Sequence, residues 1–223
     1  MPGTFDLDEQ HADLNAKVVA ALERLGAALR GLLRAEARKH GLSPIQLQIL
    51  IQIGQRASDE QVGALAARFD VTPPTVSDAV ASLAAKGLVE RRAGRDRRNV
   101  LLALTERGED VKRAAEGWAD GVTRHVAGLP LEVRDAAFDG LTALIERLQD
   151  DGVVTVARMC RTCRFLRRGS GPQAEAALGG VPAVEAPAGA RVGSAPYWCA
   201  LLEIPLENDD LRVDCPDHLP KPV

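Results

Sequence analysis

The segment 71–99 constrains the fold of this chain more than any other part of its 223 residues. Thr72 can cap a helix, and the two prolines after it suit a first helical turn, because their missing N–H groups would have no partner there. Gly87 can adopt the left-handed conformation that ends many helices. Three apolar residues between these points share one helical face: Val76, Val80 and Leu83. The sequence therefore predicts a short capped helix that stops at Gly87.

A short strand and a basic turn follow this helix. Residues 88–91 and 99–104 are predicted strands, with a hairpin tip at 93–97. Six basic and two acidic residues lie between Lys86 and Arg98, so the local charge is +4 although the whole chain carries −3. A DNA contact needs only local positive charge. A helix, a glycine stop and a basic hairpin in this order predict a winged helix that binds DNA.

In a helix-turn-helix, the second helix enters the major groove, where short polar side chains at its front can reach bases and phosphates. The basic hairpin can enter a flanking minor groove, whose negative field attracts arginine. The alternatives are ordinary helix packing and a solvated charge run, and the order of the parts favours DNA binding over both. The candidate DNA-binding residues are Thr72, Pro74, Thr75, Ser77, Asp78, Arg91, Arg95, Asp96, Arg97 and Arg98.

Helices are predicted on both sides of this unit, so the fold class is mainly α with a small β-wing. A first helix is expected from Leu14 to near Gly41. Its apolar residues recur at steps of three and four, which places them in one stripe. This stripe can serve the core or a partner helix, and it comprises Leu14, Val18, Leu22, Leu25, Leu29 and Leu32.

Two capping boxes predict the next two helices. Ser43 and Gln46 open the second helix, which is expected to end at Gly54. Ser58 opens the third helix, which is expected to run to Phe69.

Two more helices follow the predicted wing. Thr105 is expected to cap a fifth helix to about residue 127, and a sixth helix is expected at 131–148. The predicted domains are an N-terminal dimerisation helix at 1–40, a winged helix-turn-helix domain at 41–104, C-terminal dimerisation helices at 105–149, and a cysteine-containing extension at 150–223.

The chain from about 14 to 148 resembles the MarR family of winged-helix transcriptional regulators. The residues that carry the resemblance are 65–91 (LAARFDVTPPTVSDAVASLAAKGLVER), Asp96-Arg97-Arg98 in the predicted wing, and 104–108 (LTERG). The resemblance implies a homodimer joined by the first, fifth and sixth helices, and a palindromic double-stranded DNA operator read by two copies of the fourth helix. It also implies that Asp96 braces the wing arginines while Arg98 touches DNA.

One departure from the family pattern concerns the predicted recognition helix. Family members often carry arginine on its exposed face, where this chain has Asp78, Ala81 and Ser82. Base readout by this helix is therefore expected to be sparse, and more of the affinity is expected from the wing. A further hypothesis is a small-molecule effector bound between the dimerisation helices and the winged domain.

Four cysteines lie in the C-terminal extension, and the first 159 residues contain none. The spacing of Cys160 and Cys163 lets one turn of backbone offer two thiolates to one metal ion. Cys199 and Cys215 could complete a site of four thiolates, with His218 as a substitute ligand. The alternative is that the four cysteines are incidental or buried. Such a site would staple a tail with little core of its own, in either a structural or a sensory role.

Thiolate ligands favour zinc or an iron–sulfur cluster. Of these two, we expect zinc by a narrow margin. A cluster would instead make the protein a sensor of redox state or iron. A disulfide switch between Cys160 and Cys163 is a third hypothesis, because three nearby arginines can lower thiol pKa values.

The sequence favours a regulator over an enzyme. It contains no G-x-G-x-x-G, P-loop or H-E-x-x-H pattern. The alternative is a metal-dependent enzyme or electron carrier that uses the winged helix for protein contacts. No signal-peptide pattern and no apolar run of about 20 residues is present, which predicts a cytoplasmic protein with no membrane association.

Overall fold

The computed structural model describes residues 13–55, 61–93, 100–169 and 196–221. The chain divides into two compact units, Met1–His125 and Val126–Val223. The helices of the described part are α1 (Leu14–Lys39), α2 (Pro44–Gln55), α3 (Val62–Phe69), α4 (Pro73–Ala85), α5 (Glu106–Ala115), α6 (Asp120–Ala127) and α7 (Leu131–Asp150). The strands are β1 (Val89–Ala93), β2 (Val100–Leu104), β3 (Leu166–Arg168), β4 (Tyr197–Cys199) and β5 (Ile204–Leu206). None of the described helices is long and apolar enough to cross a membrane.

The core of the first unit lies between α2, α3, α4 and the β1–β2 hairpin. Its largest fully buried side chains include Leu47, Leu50, Leu65, Leu83 and Leu102. Helix α1 reaches this core only near its C-terminal end, through Leu33 and Ala37. The fold is therefore mainly helical with a small antiparallel wing, as the sequence predicts.

Helix α4 has the predicted ends. Thr72 is its N-cap, and the Thr72 hydroxyl accepts the N–H of Thr75 at 3.4 Å. At the other end Gly87 has φ +68°. The N–H of Gly87 donates to the carbonyl of Ala84 at 2.9 Å, and the N–H of Leu88 donates to that of Leu83 at 3.0 Å. These two bonds satisfy carbonyls that the helix leaves open, so the chain turns directly into β1.

Strands β1 and β2 form an antiparallel hairpin in which Val89 faces Leu104 and Ala93 faces Val100. Val89 and Leu102 are buried, so the hairpin base packs on the core. Strand β1 continues to Ala93, which was predicted to begin the hairpin tip at 93–97. The rest of that predicted tip lies outside the described residues.

The structure corrects two predicted helix ends. Helix α2 continues to Gln55 rather than ending at Gly54. A Cβ atom on Gly54 would lie 2.7 Å from Leu104 Cδ1 and close to the Lys112 side chain, so this glycine permits close packing rather than stopping the helix. Helix α3 begins at Val62 with Gln61 as its N-cap, rather than at the predicted capping box, whose Ser58 lies outside the described residues.

The predicted fifth helix is two helices, α5 and α6. Residues 116–119 form turns, in which the Trp118 N–H donates to Ala115 and the Asp120 N–H donates to Gly117. Trp118 packs against the core, and Gly117 has low helix propensity. Packing of the partly buried Trp118 side chain against the core and the presence of Gly117 account for the break.

The second unit consists of α7, a 3-10 turn at Cys160–Thr162 and a three-stranded antiparallel sheet of order β3-β4-β5. Helix α7 has the predicted position and runs two residues further, to Asp150. We refer to the described residues 155–169 and 196–221 as the cysteine lobe. Its buried apolar side chains are Ala157, Met159, Cys163, Leu206 and Leu211.

Candidate functional site

The exposed side of α4 carries the short polar side chains expected of a recognition helix. Thr72, Pro74, Thr75 and Asp78 are exposed, and Ser77 is half-buried. The opposite side is buried through Val76, Val80 and Leu83, as predicted. The Thr72 and Thr75 hydroxyls lie 2.9 Å apart. The Thr72 oxygen serves the helix cap and the Thr75 hydroxyl is hydrogen-bonded to it, whereas the Ser77 hydroxyl takes no part in these two bonds.

A lysine that the sequence analysis did not single out fixes the C-terminal end of α4. Lys86 Nζ donates to the Gly41 carbonyl at 2.6 Å and to Gln46 Oε1 at 3.3 Å. Gln46 is also part of the predicted capping box, because its Oε1 accepts the Ser43 N–H at 3.1 Å. The end of α4 is therefore tied to the turn between α1 and α2.

The start of α5 holds the same end of α4 from the other side. The Thr105 hydroxyl donates to the Gly87 carbonyl at 2.7 Å and accepts the Gly108 N–H at 3.0 Å. The Thr105 N–H donates to the Leu88 carbonyl at 3.1 Å, and Arg107 donates to the Lys86 carbonyl at 3.1 Å. We call these bonds between residues 86–88 and residues 105–108 the α4–α5 lock. Residues 105–108, which belong to the segment 104–108 that carries the family resemblance, thus hold the C-terminal end of α4 in place.

The described part of the wing contains two exposed arginines in different electrostatic settings. Arg92 pairs with Glu90, with Nη2 2.5 Å from Oε1. Arg91 is exposed and forms no ion pair with any described residue. Among the described residues of this strand, Arg91 is therefore the cation available to a ligand. Arg95, Asp96, Arg97 and Arg98 lie outside the described residues.

Backbone pairing places the four cysteines within the cysteine lobe. The Cys160 N–H donates to the Arg212 carbonyl at 2.9 Å, and the Arg212 N–H donates to Cys160 Sγ at 3.2 Å. The Cys215 N–H donates to the Arg158 carbonyl at 2.7 Å. Cys163 forms a bridge with Pro220, and Cys199 on β4 faces Leu166 on β3. Three separate segments are thus held together around the C-x-x-C turn.

The two residues inside the C-x-x-C turn are polar and buried. The Arg161 side chain is only 10% exposed and pairs with Asp139 on α7. The Thr162 hydroxyl donates to the Ala157 carbonyl at 2.9 Å and lies 3.0 Å from His218 Nε2. The sequence analysis considered Arg161 only as one of three arginines near the thiols, with Arg158 and Arg164, and did not single out Thr162. Buried polar side chains in such a short turn are a signal of anchoring.

Burial and the other three cysteines both raise the pKa of the Cys160 thiol. Burial raises its pKa most, the hydrogen bond from the Arg212 N–H lowers it, and the charges of Cys215, Cys163 and Cys199 raise it. All four cysteines are free rather than disulfide-bonded. In the described residues, no three His, Cys, Asp or Glu side chains are already arranged as a group that could hold a metal ion.

Comparisons with known proteins agree with the winged-helix fold of the first unit. Residues 40–99 match a family model described as MarR family. FabT of Streptococcus pneumoniae, solved in complex with DNA, is 26% identical, with 61% of this chain and 96% of that chain covered and a TM-score of 0.51. CouR of Rhodococcus jostii RHA1, solved with p-coumaroyl-CoA, is 26% identical, with 59% of this chain and 94% of that chain covered and a TM-score of 0.51. No curated protein sequence matches the chain.

The first unit is thus a winged helix-turn-helix domain of the kind that binds DNA. Over residues 40–99 the chain is similar to the MarR family. The two solved structures leave about two fifths of the chain uncovered.

Proposed function

We propose that this protein is a homodimeric transcriptional repressor that acts in the cytoplasm on a palindromic double-stranded DNA operator. The observation that carries the proposal is the exposed polar side of α4 directly beside a basic hairpin. The α4–α5 lock and Lys86 support it, because a recognition helix must be held rigidly to place its side chains in a groove.

The proposed dimer rests on apolar surface that a single chain leaves exposed. On α1 the exposed large side chains are Leu14, Val18, Val19, Leu25, Leu29 and Leu32, and Leu14 is 72% exposed. Within the second unit, α7 exposes Leu131, Val133, Leu141 and Leu144. Apolar stripes of this size mark interaction surfaces. A second copy of the chain is the partner that the family resemblance implies.

In the proposed complex the wing supplies much of the affinity. Thr75 and Ser77 on α4 can reach DNA, but Asp78 on the same helix repels phosphate. Arg91 has no ion-pair partner within the described residues, and the sequence places Arg95, Arg97 and Arg98 just beyond it. Each arginine that reaches a phosphate releases counterions, so the proposal predicts strongly salt-dependent binding.

Selection from a random duplex library, followed by fluorescence anisotropy on the selected site, tests this proposal. An enriched palindrome is expected. Arg98→Ala should weaken binding by about 1–3 kcal/mol, and Arg91→Ala should reduce the salt slope by about one. Arg113→Ala is the matched control, because that exposed arginine lies on α5 and pairs with Asp110. Absence of any enriched sequence, or equal binding by all three variants, would refute the proposal.

We further infer that a small-molecule effector controls DNA binding. An open cleft of about 630 Å³ in the first unit is lined by residues that include Glu36, Lys39, Arg113 and Trp118. CouR, solved with p-coumaroyl-CoA, provides the precedent and the first probe to try. In a Trp198→Phe background Trp118 is the remaining tryptophan, so its fluorescence reports on this cleft. Ligands that change the fluorescence should also release DNA.

A further inference from the structure

The cysteine lobe has little apolar core of its own. In its described residues only five apolar side chains are buried, whereas Leu201, Leu202, Ile204, Val213 and Leu219 are exposed. Small folds with few buried side chains usually need a disulfide or a structural metal as a staple. The four cysteines are free thiols, so the described structure has no disulfide staple among them.

The backbone of the lobe brings the cysteine-bearing segments together. Residues 158–160 pair with residues 212–215 through the N–H groups of Cys160 and Cys215. Cys163 donates its N–H to the Cys160 carbonyl at 2.9 Å, which closes the tight turn between these two cysteines. Cys199 lies on β4, whose partner strand β3 begins three residues after Cys163.

The C-x-x-C turn is held in place from outside. Arg161 is fixed by Asp139, and Thr162 is fixed by the Ala157 carbonyl and by His218. Cys160 Sγ accepts a backbone N–H, which is the kind of hydrogen bond that supports metal-bound thiolates. These contacts anchor the backbone segment that carries Cys160 and Cys163.

We propose that the cysteine lobe binds one zinc ion through Cys160, Cys163, Cys199 and Cys215. No three His, Cys, Asp or Glu side chains of the described residues form a group that could hold a metal ion, so the proposal requires the cysteine side chains to move toward one another on zinc binding, as small zinc-dependent folds become ordered when they bind metal. Zinc suits a C-x-x-C pair joined by two more distant cysteines. Iron–sulfur clusters of ferredoxins use a denser run of cysteines. His218 supports Thr162 and is not a ligand in this assignment.

Metal analysis of the full chain, purified without oxygen and without a metal-affinity tag, tests the site. We expect a colourless protein with about one zinc ion per chain. A brown protein that absorbs near ~400 nm would overturn the zinc assignment in favour of an iron–sulfur cluster. Protein without zinc or iron, which also fails to take up added zinc when reduced, would overturn the metal site itself.

Variants of the full chain identify the ligands. Cys160→Ser and Cys199→Ser should each lose nearly all bound zinc. Asp217→Asn, a neighbouring exposed carboxylate, is the matched control and should keep it. His218→Gln should also keep the zinc stoichiometry, and its loss together with retention in Cys199→Ser would overturn the assignment of four cysteine ligands.

Because a cysteine variant can lose zinc merely by unfolding, cobalt substitution in the wild-type chain gives an independent measurement. After zinc removal and addition of Co²⁺, tetrahedral thiolate ligation should give intense sulfur-to-cobalt charge-transfer bands. A spectrum of six-coordinate, oxygen-ligated cobalt would refute the proposal. DNA binding is not read in either experiment, so failure of the zinc site and failure of the proposed operator binding are distinguishable.

Discussion

Replacement of Gly108 by alanine tests whether the α4–α5 lock holds the recognition helix in place. Gly108 is the third residue of α5, and its N–H donates to the Thr105 hydroxyl at 3.0 Å. A Cβ atom at this position would lie 3.0 Å from the Leu88 carbonyl carbon and nearer still to its oxygen. That oxygen accepts the Thr105 N–H, so the added methyl group must push apart the two sides of the lock.

The expected loss of stability follows from the atoms involved. The clash is with backbone, which cannot rotate away as a side chain can. Overpacking of this kind costs about 1–3 kcal/mol. Alanine would otherwise stabilise a helix interior by up to about 1 kcal/mol relative to glycine, and this gain is small so close to the helix start. We therefore expect Gly108→Ala to lower the free energy of unfolding of the first unit by about 1–3 kcal/mol.

Urea denaturation followed by Trp118 fluorescence, in the Trp198→Phe background, measures this change. Gly63→Ala on α3 is the matched control, because no atom lies within 4 Å of the position its Cβ would occupy. It should leave the midpoint unchanged or raise it slightly. Operator affinity of Gly108→Ala should also fall, since the displaced residues 86–88 end α4. An unchanged or higher midpoint for Gly108→Ala would show that the lock does not constrain this region.

Three further substitutions probe other contacts. Thr72→Ala should cost about 0.5–2 kcal/mol in urea denaturation, because it removes the α4 cap, and Thr72→Ser should restore most of it. Lys86→Met should cost about 1–3 kcal/mol, because the Gly41 carbonyl loses a charged donor, and an unchanged midpoint would exclude a stabilising role for that bond. In the second unit, Asp139→Ala should cost about 1–3 kcal/mol in a separate unfolding transition, because it leaves the buried Arg161 charge unpaired. A transition identical to wild type would contradict that reading of Arg161.

The winged helix could be predicted from the sequence because its signals are local. The Thr72 cap, the Gly87 stop and the Thr105 cap each depend on residues within a few positions in the chain, and the structure confirms all three. The capping box of Ser43 and Gln46 is confirmed for the same reason. The exposed leucines of α1 also follow the predicted stripe, although the sequence alone left open whether they serve the core or a partner.

The features that the sequence did not predict depend on distant residues. The break between α5 and α6 follows from packing of Trp118 against a core that local periodicity cannot describe. Gly54 resembles a helix stop, but its small size matters because Leu104 and Lys112 come from elsewhere in the chain. The β3-β4-β5 sheet pairs three-residue strands, which are too short to show an alternating pattern.

The ion pairs of the second unit suggest how metal binding could affect more than the cysteine lobe. Arg161 lies between two proposed zinc ligands and pairs with Asp139 on α7, while Lys221 pairs with Glu146 on the same helix at 3.0 Å. Loss of zinc would relax the turn that positions Arg161, and a buried guanidinium cannot move without giving up Asp139 or being solvated. Helix α7 also carries exposed leucines that we assign to the proposed dimer. The residues proposed to bind zinc and those that would join two chains are therefore linked, within one unit, through Arg161 and α7.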